Sequence, residues 1–320
     1  MIKVLLVFAC VSFAFAQDFV SLYRTEGIKA VEKNLDAQLA EKSYWDSVLS
    51  NMDTKFGYIE KDLDILTCNK KASSLDLNIK DKNGTYHEVN NYSAFTGKNS
   101  GDKMKEGDLR TPVGIYNIVK KIDKVDSFYG PLALVTSYPN LFDKYNNKNG
   151  HGIWIHGLPL HQQRDDFTKG CIAIGNEEIV CLDKKIDYDK TLLIINDKEI
   201  AKYPSKDTLA IILANLYKWR YAWVYDDVNT YLSFYDATFK RFDGMTIDEF
   251  TKYKTRVFQK DEDKTIKFSN VAVIPYPDYS KEIYEITFDE EYKSDTYSFK
   301  GPKKLVVKLE DATFKILTEQ

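Results

Sequence analysis

The chain is poor in cysteine, histidine, methionine and proline: its 320 residues hold 4 Cys, 4 His, 4 Met and 8 Pro. So few cysteines exclude a disulfide-dense scaffold, and no C-x-x-C pair exists to build a zinc ribbon or a dithiol redox centre. Neither sign of charge dominates. The 45 Lys and Arg face 48 Asp and Glu, the formal net charge is −3, and the two signs are interleaved. Without a basic stripe, no nucleic-acid partner is expected. Beyond residue 16 no apolar run approaches the ~20 residues of a membrane-spanning helix. No internal repeat or low-complexity tract is present.

What is there begins with "MIKVLLVFACVSFAFA". Lys3 starts it, Val4 to Phe15 is almost wholly apolar, and Ala14-Phe15-Ala16 is a small-x-small cleavage pattern. Residues 1–16 therefore read as a secretory signal, which predicts an exported, periplasmic protein. Cys10 follows too little apolar sequence, and Phe8 is too bulky, for a lipid anchor. Export leaves Cys68, Cys171 and Cys181. An odd number in an oxidising compartment leaves at least one free thiol. Cys68 and Cys181 could pair, though two buried thiols are the simpler expectation.

Residues 17–55 read as helical, with Ile28, Val31, Leu35, Leu39, Trp45 and Leu49 recurring at three-to-four spacing with two slips. Such a stripe must dock on the main body or on a second copy, so a homodimer through this segment is one expectation. Residues 56–200 change to short strands and turns. Leu75, Leu77 and Ile79 alternate before Asn83-Gly84, a strong hairpin signal, and "TPVGIYNIVKKI" and "KTLLIINDKEI" are further strands. This predicts a mainly β, mostly antiparallel domain. Tyr203-Pro204-Ser205 breaks the pattern. Residues 204–320 then carry helical runs followed by alternating strands, an α+β layout in which a curved sheet wraps helices and leaves a cavity.

Candidate chemistry converges on "HGIWIHGLPLHQQRDDFTKGCIAI", His151 to Ile174. A cysteine nucleophile needs a thiolate, a neighbouring histidine is the usual means of making one, and that histidine needs a partner to fix its tautomer. Cys171, His151, His156 and His161 supply these elements. Gly157 follows His156 and Gly170 precedes Cys171, where glycine lets a backbone group approach a reacting centre. Zinc is the rival use of three histidines and a cysteine. Their five-residue spacing does not place them on one helix face or one strand face, so no metal and no other cofactor is expected. An inert core thiol remains a third reading of Cys171.

"GIWIHGLP…FTKGCIAI" resembles the active-site signature of the YkuD-type L,D-transpeptidase family: an Ile-His-Gly on a strand, a loop, then Ser/Thr-His/Lys-Gly-Cys-Ile. "EGDLRTPVGIYNI" and "YSAFTGKN" resemble the two upstream landmarks of the same family, and the likeness covers roughly residues 57–198. It implies a YkuD-like β-sandwich or barrel. It also implies Cys171 as nucleophile, His156 as base, the Gly157 carbonyl orienting the imidazole, and amides of Gly170 and Cys171 as an oxyanion hole. His151, Arg164 and Lys169 are candidates on the substrate side, and His161 reads as a loop residue. The substrates implied are the stem peptides of peptidoglycan. The stretch "WRYAWVYDDVNTYLSFYDATF", Trp219 to Phe239, resembles the opening of nuclear-transport-factor-2-like domains, which are cone-shaped with an internal pocket.

Together, the helical segment, the YkuD-type domain and the pocket domain resemble the cell-shape L,D-carboxypeptidases of helical Gram-negative bacteria. The implied reaction trims tetrapeptide stems to tripeptides. L,D-transpeptidation, or wall binding without catalysis, are the alternatives. Most relatives follow Gly-Cys-Ile with Arg, whereas this chain has Ala173. "DKNGT" around Asn83 also fits a bacterial glycosylation pattern, although a hairpin turn already accounts for Asn-Gly.

Overall fold

A computed structural model describes residues 19–162, 165–198, 204–260, 262–277 and 282–320. The signal segment 1–16 and Arg164 lie outside the described residues. The N-terminal segment is broken where its apolar period slips. After a helical stretch at 19–26, Gly27 takes φ +84° and α1 starts (Ile28–Leu39), followed by α2 (Lys42–Leu49). The stripe of α2 is used within the chain. Trp45 and Leu49 are buried, Trp45 stacks on Tyr217 with centroids 5.1 Å apart, and its Nε1–H donates to the Leu39 carbonyl at 2.8 Å. Helix α1 buries no residue; Asp36 holds it through Arg220 (2.9 Å) and the Tyr225 hydroxyl (3.0 Å).

After β1 (Tyr58–Ile59) come β2 (Asp64–Asn69), β3 (Ser74–Lys80), β4 (Tyr86–Ser93), β5 (Gly114–Ile122), β6 (Ala133–Thr136), helix α3 (Leu141–Tyr145), β7 (Trp154–His156), β8 (Ile172–Ala173), helix α4 (Asn176–Lys185) and β9 (Thr191–Asn196). Strands β2 to β9 form one eight-stranded sheet in the order β4-β3-β2-β9-β5-β6-β7-β8. Asn83-Gly84 makes the β3–β4 turn; the Asp81 carboxylate accepts from the Asn83 and Thr85 amides. Two pairs, β2 with β9 and β7 with β8, are parallel, which alternation in a single strand cannot reveal. Strand β9 is buried at every position, as its unbroken "TLLIIN" run requires for a central strand.

The sheet curls until its two edges meet. Chain leaving β4 runs on across β8, and Phe95 and Ala173 exchange both backbone hydrogen bonds, at 2.8 and 2.9 Å. Thr168 then donates its amide to the Thr96 carbonyl at 2.7 Å. At this seam Gly97 crosses the 109–111 loop so closely that a Cβ would collide with the Leu109 carbonyl and lie 2.7 Å from the Thr111 amide. The "YSAFTGKN" and "DLRTP" stretches, separate in sequence, are thus one structural element. Closure removes an exposed sheet edge and seals a core of Leu66, Leu75, Tyr116, Leu134, Ile155 and Ile172.

The C-terminal part places α5 (Lys206–Val224), α6 (Val228–Ser233) and α7 (Ile247–Phe258) against β10 (Thr265–Pro275), β11 (Ile283–Lys293), β12 (Ser298–Glu310) and β13 (Thr313–Glu319). Strand β1 joins this sheet, pairing with β10, although it adjoins the catalytic sheet in sequence. Trp219 stacks on Tyr231, and the core is largely aromatic. A third apolar cluster, including Ile59, Ile65, Ile115, Leu192, Ile274 and Val306, joins the two sheets into one packed body. The Asn140 amide donates to the Tyr276 hydroxyl at 3.0 Å across the same junction.

A cavity of ≈ 280 Å3 opens in the C-terminal cone beside Trp223, Phe250, Lys254, Glu290 and Lys303. The Lys254 ammonium lies 4.4 Å from the Trp223 ring centre and 5.1 Å from that of Tyr231. Burial drives its pKa down to about 8. None of Cys68, Cys171 and Cys181 is joined in a disulfide. Cys68 is buried, whereas Cys181 is half-buried rather than fully enclosed.

Candidate active site

His156 ends β7, and its neighbour in register on β8 is Ala173. Cys171 immediately precedes the two residues of β8, in the bend that leads into the strand. The parallel pairing of β7 with β8 sets the bend bearing Cys171 beside the strand that carries His156, and Tyr129 lies against the His156 ring within electrostatic reach of Cys171. His156 is almost fully buried, at 1% exposure, while Cys171 is half-exposed. A buried base beside an accessible sulfur is the arrangement a nucleophilic thiol requires.

The imidazole is fixed by its own neighbour: His156 Nδ1 lies 2.7 Å from the Gly157 carbonyl. A carbonyl only accepts, so Nδ1 carries the proton and Nε2 is left as the basic nitrogen. Gly157 must be glycine for steric reasons: an added Cβ would collide with Asn176 Oδ1 and lie 2.7 Å from Pro131 Cδ. Asn176 Oδ1 also accepts from the Leu158 amide at 2.7 Å, and the Gly157 amide donates to the Tyr129 carbonyl at 3.0 Å. The carbonyl that orients His156 is therefore itself held on both sides.

Tyr129 was not legible as a site residue. It ends a single 3₁₀ turn, Ser127–Tyr129, and its ring meets the His156 ring edge-on, with centroids 5.0 Å apart at 89°. Its phenol is pushed up by burial and, next, by proximity to the ionisable sulfur of Cys171. The available signal was the sequence "FYGP" around Gly130, whose φ of +75° and close approach to Gly157 demand glycine.

The Cys171 loop is tied by Thr168. The Thr168 hydroxyl donates to the Cys171 carbonyl at 2.6 Å and accepts from the Gly170 amide at 3.0 Å. This corrects the expected oxyanion hole: the Gly170 N–H is engaged by Thr168. Gly170 is instead required by its backbone, with φ +137° and a hypothetical Cβ 2.9 Å from the Arg110 carbonyl. The Cys171 thiol donates to the Gly152 carbonyl at 3.6 Å, so the loop bearing His151 borders the sulfur. His151, His161 and Lys169 are all exposed, and Lys169 makes no ion pair among the described residues. Ala173 is wholly buried between His156 and Phe95.

Arg110, in the "DLRTP" stretch, is a second residue that composition and spacing did not single out. Its backbone adjoins Gly170, and its buried Nε has no partner. The loop before it is organised by Asp108, which accepts from Lys103 Nζ and the Met104, Lys105 and Arg110 amides. Together these bonds outweigh burial and hold its carboxyl well below the usual range. Beneath lies buried Lys148, paired with Asp143 at 2.8 Å and with Asp102.

Residues 65–195 match the family described as the YkuD L,D-transpeptidase catalytic domain, and residues 211–320 match the Cds6 C-terminal NTF2-like domain. Among solved structures, the helical cell shape determining protein Pgp2 of Campylobacter jejuni is 39% identical. It superposes with a TM-score of 0.81, covering 88% of this chain and 99% of that one. A single-substitution variant of Pgp2 gives 0.83. Bd1075 of Bdellovibrio bacteriovorus gives 0.68 at 26% identity, covering 83% of this chain and 96% of its own. YafK of Escherichia coli K12, named for L,D-transpeptidases, is 30% identical over 112 residues, 34% of this chain. The match spans 42% of YafK's length.

Proposed function

The chain belongs to the family that joins a YkuD L,D-transpeptidase catalytic domain to a C-terminal NTF2-like domain, and from that premise we propose that it is a periplasmic, peptidoglycan-trimming L,D-carboxypeptidase. One observation carries the catalytic part: His156, with Nδ1 held by the Gly157 carbonyl, lies on the strand paired with β8, which half-exposed Cys171 directly precedes. The likeness to a cell shape determining protein supports wall trimming as the purpose.

In this reading the Cys171 thiol gives its proton to His156 Nε2, and the sulfur attacks the diaminopimelate carbonyl of a tetrapeptide stem. The amide of Cys171 stabilises the oxyanion. The bond to D-Ala breaks, His156 protonates the departing amine, and a thioester remains. Water activated by His156 then releases the tripeptide and restores the thiol. An amine acceptor in place of water would give a cross-link, the transpeptidase alternative. No step requires a metal or cofactor. His151, Lys169 and Arg164 remain candidates for substrate contact, and the C-terminal cavity is assigned to glycan or stem binding. Exposed Ile28 and Leu35 on α1 are the residues through which a second copy would dock. An Ile28→Glu/Leu35→Glu variant with unchanged gel-filtration behaviour would remove the dimer.

The test is product analysis by mass after incubation with disaccharide-tetrapeptide and with cross-linked muropeptides. Tripeptide without new dimers is expected. New dimers would favour transpeptidation. Identical behaviour of wild type and Cys171→Ala would leave only a wall-binding role.

A further inference from the structure

A second cavity, of ≈ 390 Å3, lies where the catalytic sheet meets the C-terminal sheet. Its size falls in the ~300–1,000 Å3 range of ligand sites. Both parts of the chain build it: Asn117 of β5 and Thr191 of β9 on one side, Glu285 and Thr287 of β11 on the other, with Gln320 at the rim. Its charged groups are largely spent on one another. Lys304 meets Glu285 at 2.8 Å, Lys61 meets Asp289 at 3.7 Å, and Lys303 meets Glu319 at 3.3 Å. Asp189 stands at the solvent-exposed rim. An ionic ligand would have to break these pairs.

The neutral groups are in the opposite condition. The side chains of Asn117, Thr287 and Gln320 make no hydrogen bond among the described residues. Glu285 is 2% exposed, and its Oε2 is buried without a partner while Oε1 is held by Lys304. A buried acceptor left open costs free energy unless something donates to it. Leu192, Ile274 and Phe288 supply apolar surface in the same cleft. Open amide, hydroxyl and carboxylate groups over apolar carbon match a sugar ring, which presents hydroxyls at its edge and C–H groups on its face.

We propose that this cleft binds a neutral acetamido sugar, as a stretch of glycan strand, separately from the catalytic centre. The identity of the polymer rests on the peptidoglycan reading above; the cleft's preference for a neutral saccharide does not. Glu285 Oε2 accepts from a sugar hydroxyl or acetamido N–H, and Asn117 and Thr287 bind neighbouring hydroxyls. Pro302, Lys303 and Gln320 also border the C-terminal cavity, so a strand lying in the cleft continues towards it.

The test is calorimetric titration of the full chain with N-acetylglucosamine tetramer, alongside a sugar-free stem peptide assayed for hydrolysis. Glu285→Gln and the double variant Asn117→Ala/Thr287→Val are compared with wild type, with melting curves to confirm folding. The double variant alters one exposed and one half-buried side chain that the fold does not use. Wild type is expected to bind the tetramer, and the double variant to bind about tenfold more weakly, the loss of two ordinary hydrogen bonds. Its stem-peptide hydrolysis should be unchanged. No binding by wild type, or equal affinity in the double variant, overturns the proposal. Failure of stem hydrolysis with sugar binding intact would overturn the catalytic reading alone.

Discussion

Replacing Gly170 by Ala tests how the Cys171 loop is built. At φ +137° an L-residue is strained, and holding a non-glycine in such a region costs about 1–3 kcal/mol. The new Cβ would also stand 2.9 Å from the Arg110 carbonyl oxygen and 3.2 Å from Ile153 Cδ1. The first neighbour is backbone within a loop tied by Asp108, so the yielding side is the 168–171 turn. Melting should fall by roughly 2–12 °C for that strain. A shift of the sulfur approaching 1 Å would lower turnover by about 100-fold. Gly244→Ala is the control: Gly244 has φ +94° but nothing within 4 Å of its hypothetical Cβ, and it lies in the C-terminal part. That variant should lose some stability and no activity. If Gly170→Ala melts and turns over like wild type, the turn is not what sets the sulfur's position.

Three further outcomes are expected. His156→Ala should slow alkylation of Cys171 by iodoacetamide at pH 7 by tenfold or more, and equal rates would end the pairing. Tyr129→Leu removes an edge-on ring contact worth about 0.5–1.5 kcal/mol and should lower kcat up to about tenfold, more than Tyr129→Phe; equal kcat values would show that the ring does not hold His156. Lys254 has its pKa lowered to about 8 in the fold against 10.5 when free, so between those pH values the unfolded chain binds more protons there. Stability from this group must then rise with pH across that window, and wild type minus Lys254→Met should show the rise in denaturant midpoints. Parallel curves would refute it.

The candidate pair of Cys171 and His156 stood out because local sequence marks it. His156-Gly157 and Gly170-Cys171 are neighbours in sequence, and each glycine sits where backbone crowding or positive φ demands it. The helices and strands of the C-terminal part followed from period alone. The parallel pairs did not, because β2 and β9 are joined by more than a hundred residues and alternation says nothing about partner or direction. The transfer of β1 to the far sheet was hidden for the same reason. Tyr129 was hidden because an aromatic in a Gly-Pro turn looks like any half-buried ring. The Gly170 amide was misassigned because sequence shows that a glycine is required but not which acceptor its N–H will meet.

Closure of the sheet also accounts for Ala173. Strand β8 is only two residues long and is enclosed on both sides, by β7 through His156 and by the chain after β4 through Phe95. The side chain at 173 therefore lies in the seam that positions Cys171, wholly removed from water. A guanidinium placed there would have to be paired or reach solvent, because burying an unpaired charge is costly. Among the described residues, the cations flanking the cysteine turn are Lys169, one residue from Gly170 and open to solvent, and Arg110, whose backbone packs on Gly170. A loop cation can adjust its position without disturbing His156, whose orientation rests on the Gly157 carbonyl.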